Sequence, residues 1–162
     1  MEWSKHIQKI TARSNSTLGL LRRNLSNCPP ELREQAFISL VRSRLEYCSA
    51  VWDPCFAKDA ELLESVQRRG ARFVKQDYGQ RSSVTAMLAD LKWMPLKDRR
   101  RETRLALLFK ILNGKVAVEA QDILDLADIR TRSIHDQKYI FVQTRCELVK
   151  QSFFPKNCCR VE

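Results

Sequence analysis

Apolar and small residues recur at steps of three and four over the first 25 positions: Trp3, Ile7, Ile10, Ser14, Leu18, Leu21 and Leu25. At about 100° per residue these positions share an arc of roughly 80° on one helix face, while Lys5, Lys9 and Arg13 fall on the opposite side. Ser4 is the expected N-cap, and Pro29–Pro30 is expected to stop this helix and open the next, since proline suits a first turn and not a helix interior. The second helix is expected from about Pro30 to Val51, with Leu32, Ala36, Phe37, Leu40, Val41, Leu45 and Cys48 as its core stripe, and Asp53–Pro54 closes it.

A third helix is predicted from about Asp59 to Tyr78, with Leu62, Leu63, Val66, Phe73 and Val74 on its apolar side and Arg68, Arg72 and Lys75 on another face. The chain turns near Gly79, Ser82 or Ser83 caps a short fourth helix reaching Leu91, and Trp93 with Pro95 makes a corner. The fifth helix is predicted from about Leu96 to Leu112. Its first half is basic nearly all round (Lys97, Arg99, Arg100, Arg101, Arg104) and is expected to face solvent or phosphate. Its second half is apolar nearly all round (Leu105 to Phe109, Ile111, Leu112) and is expected to be core. Asn113–Gly114 is a helix stop. Beyond it the periodicity fades, leaving Asp122, Asp125 and Asp128 and a candidate short strand at Tyr139 to Val142. These signals predict an all-α fold. It would be a compact bundle of about five helices over residues 1–115, followed by an irregular C-terminal arm over 116–162.

Composition sharpens the functional picture. In 162 residues, 29 Lys+Arg face 19 Asp+Glu for a net charge of +10, and the excess lies wholly in residues 1–115, where 22 basic side chains meet 12 acidic ones. Eighteen of the basic residues are arginine, whose planar fork suits phosphate oxygens, so a polyanion partner is expected. The longest apolar run, Leu105 to Phe109, is far too short to span a bilayer, and nothing at the start reads as a secretory leader. An alternative for residues 1–30, whose one acid is Glu2, is a mitochondrial transit peptide.

Six cysteines (Cys28, Cys48, Cys55, Cys146, Cys158, Cys159) include no C-x-x-C pair, and His6 and His135 lie far from them, so neither zinc nor a disulfide framework is expected. Cys48 is expected to act as a small core hydrophobe. A phosphate loop, a G-x-S-x-G, an H-E-x-x-H and an adjacent aspartate pair of the kind that holds two polymerase metals are all missing, so no catalysis by the chain alone and no small-molecule substrate are expected.

An ordered set of strings is more specific than any of these features. It comprises Trp3-Ser4-Lys5-His6-Ile7, residues Thr17 to Leu25, Leu40-Val41-Arg42, residues Leu45 to Pro54, Val66-Gln67-Arg68-Arg69, Ala71-Arg72-Phe73-Val74, Leu88 through Trp93, Arg130-Thr131-Arg132 and Ser152-Phe153-Phe154-Pro155. Over about residues 3–156 this series resembles the region that follows the polymerase domain in reverse transcriptases of jockey-like non-LTR retrotransposons. The resemblance implies a helical, thumb-like segment that holds template and primer during target-primed reverse transcription. The polymerase aspartates and their Mg2+ would then belong to a missing upstream domain, leaving no cofactor in this chain. It also implies a ribonucleoprotein of cytoplasm and nucleus. The chain departs from the family's pattern at Ser43, where proline is common, at Gly70, where alanine is common, and at Asn157 to Glu162, which replace a Trp-Asn continuation and suggest a truncated or frameshifted end in a degraded, inactive element.

Thumb-like segments track a duplex through its backbone, so the expected phosphate contacts are Arg68, Arg72 and Lys75, then Arg99, Arg100, Arg101 and Arg104, and more weakly Lys5, Lys9 and Arg13. A competing expectation is a helical interaction module docking on the missing polymerase domain through Trp3, Trp52, Trp93, Phe153 and Phe154.

Overall fold

In a computed structural model of the chain, which describes residues 3–117, helix α1 spans Ser4–Asn24 and buries Ser4, Ile7, Thr11, Ser14, Leu18 and Leu21. Trp3, Ile10 and Leu25 pack partly buried against the same core, as the 3,4 periodicity predicts. Ser4 is not the cap. It is the first helical residue, and its hydroxyl is buried, donating to Asp59 Oδ2 at 2.6 Å, while Trp3 occupies the N-cap position without a capping bond.

The expected second helix is broken into four pieces. Helix α2 (Pro30–Phe37) passes into a π-helical turn (Ile38–Arg42), then α3 (Ser43–Glu46). The left-handed Cys48 (φ 51°) precedes α4 (Ser49–Trp52). Wider π turns change which residues share a face. Arg33, Phe37, Val41, Leu45 and Ser49 are all buried at a constant step of four, whereas Leu32, Leu40 and Cys48 of the expected stripe are exposed. An unbroken α-helix drifts about 40° with every such step, and the π turn offsets that drift.

Helix α5 (Ala57–Lys75) buries Leu63, Val66, Phe73 and Val74 and ends three residues short of Tyr78, at the left-handed Gln76; Leu62 lies at its exposed edge. It runs parallel to α1. Ser4 with Asp59, Asn15 with Arg69, and Gln76 with the Ser26 carbonyl are joined in the same order along both helices. The second-helix segments run antiparallel to α1, with His6 edge-on to Trp52 at 5.6 Å and Arg44 donating to Thr17 at 3.0 Å.

Helix α6 (Val84–Asp90) is capped by Ser83, whose hydroxyl accepts from the Ala86 amide. The Trp93 corner is then pinned on three sides. Its ring stacks on Phe37 at 4.8 Å, the Arg42 guanidinium covers it at 5.5 Å, and its indole N–H donates to Glu34 Oε1 at 2.7 Å. Gly70 is required beneath this stack, because a Cβ there would lie only 2.2 Å from the Phe37 ring.

Helix α7 spans Leu96–Leu112, and Gly114 follows it in the left-handed region (φ 62°), both as predicted. The fold is all-α, with no strand among the described residues. The chain divides into two compact units, residues 1–100 and 101–162. In the first unit Ile7, Phe37, Val41, Leu45, Leu63, Val66, Ala71, Phe73, Val74 and Leu96 form one contiguous core. In the second, Leu108 and Ile111 are buried while Leu105 and Phe109 are exposed, so the apolar half of α7 is not buried all round as expected. The candidate strand at 139–142 and the irregular arm lie outside the described residues.

Candidate nucleic-acid interface

The three basic clusters expected to grip phosphate have different surroundings. On α5, Arg68 pairs with Glu61 seven residues earlier, Lys75 pairs with Asp90 of α6, and Arg72 donates to the Gly79 carbonyl at 3.3 Å. Arg68 and Arg72 are half-buried, so this face is a network of local contacts more than a free cationic surface.

On α7 the expectation of a solvated basic turn is overturned at two positions. Arg100 is 2% exposed and Arg104 6%. Arg100 Nε donates to Asp53 Oδ1 at 3.0 Å, and Arg99 donates through both Nε and Nη2 to the Glu46 carboxylate. Both carboxylates lie about fifty residues upstream, a separation at which charge pairing leaves no mark on local sequence. Of the four arginines Arg99, Arg100, Arg101 and Arg104, Arg101 alone is exposed. Burial and the charge of Arg99 hold the Arg42 guanidinium below its ordinary pKa, with Glu46 and Glu34 pulling the other way.

The cluster ranked weakest from sequence is the most open. Lys5, Lys9 and Arg13 are exposed on the side of α1 opposite its buried stripe and have no carboxylate partner among the described residues. They rise by roughly 6 Å per step, one helical turn each. Helix α1 contains five Lys and Arg and no Asp or Glu. Arg22 and Arg23 extend the same charge into its last turn, where cations also complement the helix dipole. Alongside, α5 adds Arg69, bonded to Asn15 Oδ1 at 2.9 Å, and Lys58, which lies over the Phe56 ring. The acids that engage the other two clusters are brought to them by folding and leave no mark on the local sequence.

Of the aromatic residues expected to form a docking surface, Trp52 and Trp93 are buried, at 3% and 6% exposure, and Trp3 is half-buried. Phe153 and Phe154 lie outside the described residues. Cys48 and Cys55 are exposed and Cys28 half-buried, all as free thiols, so Cys48 is not the core residue expected. Arg33, which sequence reasoning passed over, is 6% exposed with Nε and Nη1 buried and unbonded. No group of His, Cys, Asp and Glu among the described residues is arranged to hold a metal ion, and no described helix is long and apolar enough to cross a membrane. No family model, curated protein or solved structure matches the chain.

Proposed function

We propose that this chain is the non-catalytic, nucleic-acid-gripping C-terminal part of a reverse transcriptase of the jockey-like non-LTR type, holding a template–primer duplex through its phosphates. The ordered strings motivate the family reading. The observation that carries the gripping role is the outer face of α1, where Lys5, Lys9 and Arg13 are exposed with no acid on the helix to neutralise them. Such a face binds backbone without reading bases, and its affinity falls with salt as counterions are released. Any Mg2+-dependent chemistry belongs, on this reading, to a separate polymerase domain that would also be a partner, and the working location is a ribonucleoprotein of cytoplasm and nucleus.

Filter binding of the purified chain to an RNA–DNA duplex across a salt series tests this. Replacing Lys5, Lys9 and Arg13 together by glutamine should weaken binding and lower the salt slope by up to about 3 units. Affinity indifferent to salt, or an unchanged slope in the triple variant, overturns it. A second reading, a helical interaction module, is favoured by the exposed Leu32, Leu40, Tyr47 and Val51 along the second-helix segments, and self-association without duplex affinity would select it.

A further inference from the structure

We propose that the cavity at the C-terminal ends of α1 and α5 is a nucleobase site, which takes one unpaired nucleotide stacked on Tyr78 with its phosphate toward Arg22 and Arg23. The inference deepens the gripping role proposed above and rests on it for the duplex. The cavity is an open cleft of about 260 Å3 lined by Arg22, Ser26, Phe73, Gln76 and Tyr78. That is slightly below the roughly 300–1,000 Å3 of drug-sized ligand pockets, a scale that suits one base.

Its construction is aromatic and polar in the proportions a base needs. Phe73 is 2% exposed, an apolar wall fixed in the core, whereas the Tyr78 ring is 44% exposed. The Arg22 guanidinium lies over one face of the Tyr78 ring, 4.2 Å from its centroid, holding the ring and placing a cation on that face, so that a base stacks on the opposite one. Gln76 sits at a left-handed backbone position (φ 54°) that turns the chain out of α5, and its amide N–H donates to the Ser26 carbonyl, closing the cavity between the two helix ends. Hydroxyl and amide groups of Ser26 and Gln76 offer both donors and acceptors to a ring edge.

Charge selects among occupants. Two helix C-termini converge here, and their carbonyl ends disfavour a fully buried anion, while Arg22 and Arg23 disfavour a free cation. A neutral flat ring with its negative charge held outside satisfies both. Arg23 lies eighteen residues, five helical turns, beyond Lys5 and therefore on the same face of α1, so a strand following the basic face for about 27 Å ends one residue from the cavity-lining Arg22.

Fluorescence anisotropy with the full chain, comparing a blunt RNA–DNA duplex with the same duplex carrying one unpaired adenine, tests the site. The unpaired base should improve affinity about tenfold, the effect of one base–aromatic stack. Tyr78→Ala should abolish that preference without changing blunt-duplex affinity or its salt slope, and Tyr78→Phe should keep it. Equal affinity for both duplexes, or a preference that survives Tyr78→Ala, overturns the base site and leaves the gripping role standing. If neither duplex binds, adenosine monophosphate titrated against the 1H–15N spectrum decides. Shifts confined to Gln76, Tyr78 and their neighbours support the base site while overturning the duplex grip, and an unmoved spectrum overturns both.

Discussion

Arg100 and Asp53 form an ion pair at 3.0 Å with their side chains 2% and 14% exposed, tying the first turn of α7 to the end of α4. The run Arg99-Arg100-Arg101 therefore carries one structural cation, one half-buried cation bound to Glu46, and one exposed cation. Arg100→Gln should cost on the order of 3 kcal/mol, because it breaks a largely buried ion pair. Arg101→Gln should stay within about 0.5 kcal/mol. Urea denaturation of the two single variants measures both values, and equal stabilities would contradict the structural role of Arg100.

Gly70 lies against the Phe37 ring, which is itself stacked on Trp93 and cannot retreat. Gly70→Ala gains helix propensity yet overpacks this contact, so it should destabilise by about 1–3 kcal/mol. Combining it with Phe37→Leu should cost less than the sum of the two single changes, a coupling that a double-mutant cycle reads directly.

Which features were legible in sequence follows from what each depends on. Helix α1 and the limits of α7 rest on local periodicity, on Pro29–Pro30 and on Gly114, all present in a few neighbouring residues. The burial of Arg100 depends on Asp53, and that of Ser4 on Asp59, 47 and 55 positions away. Nothing within a helix's own sequence encodes those partners. The π turn at Ile38–Arg42 likewise leaves no compositional mark, so an α-period stripe that correctly held Phe37, Val41 and Leu45 also took in the exposed Leu32 and Leu40 and passed over the buried Arg33 and Ser49.

Arg33 buries two guanidinium nitrogens without a hydrogen-bond partner. A methionine of comparable reach would keep the packing and remove the desolvated charge. Arg33→Met should raise stability by about 1–3 kcal/mol in the same urea assay, and a loss of stability would show that the charge is satisfied in solution.

Asp77 orders the turn after α5, its Oδ1 accepting from the Ser82 hydroxyl at 2.6 Å and the Gly79 amide at 3.0 Å. The hydroxyl first, then the amide, hold its carboxyl below the ordinary 3.8, with nearby Arg72 adding to the shift. A depressed folded-state pKa contributes stability that is present above 3.8 and lost as pH falls through the lower folded value. Protection of the Gly79 amide from exchange, relative to the unstructured rate at each pH, should therefore fall only below about pH 4, and Asp77→Asn should remove that pH dependence.

Leu105 and Leu108 lie one turn apart on α7 and are 37% and 7% exposed. A helix that is apolar all round would bury both and make their truncations equivalent. The observed asymmetry means that Leu108→Ala removes contacts from a closed environment and leaves a cavity, at a cost on the order of 2–5 kcal/mol. Leu105→Ala loses only the part of its side chain shielded from water, and alanine's higher helix propensity offsets some of that, so its cost should be below about 1 kcal/mol. Because residues 101–162 form a separate compact unit, the readout should be local to it. Hydrogen exchange across residues 101–112 should rise sharply in Leu108→Ala and little in Leu105→Ala. Equal effects of the two truncations would mean that this end of α7 buries a broader face than Leu108 and Ile111 define.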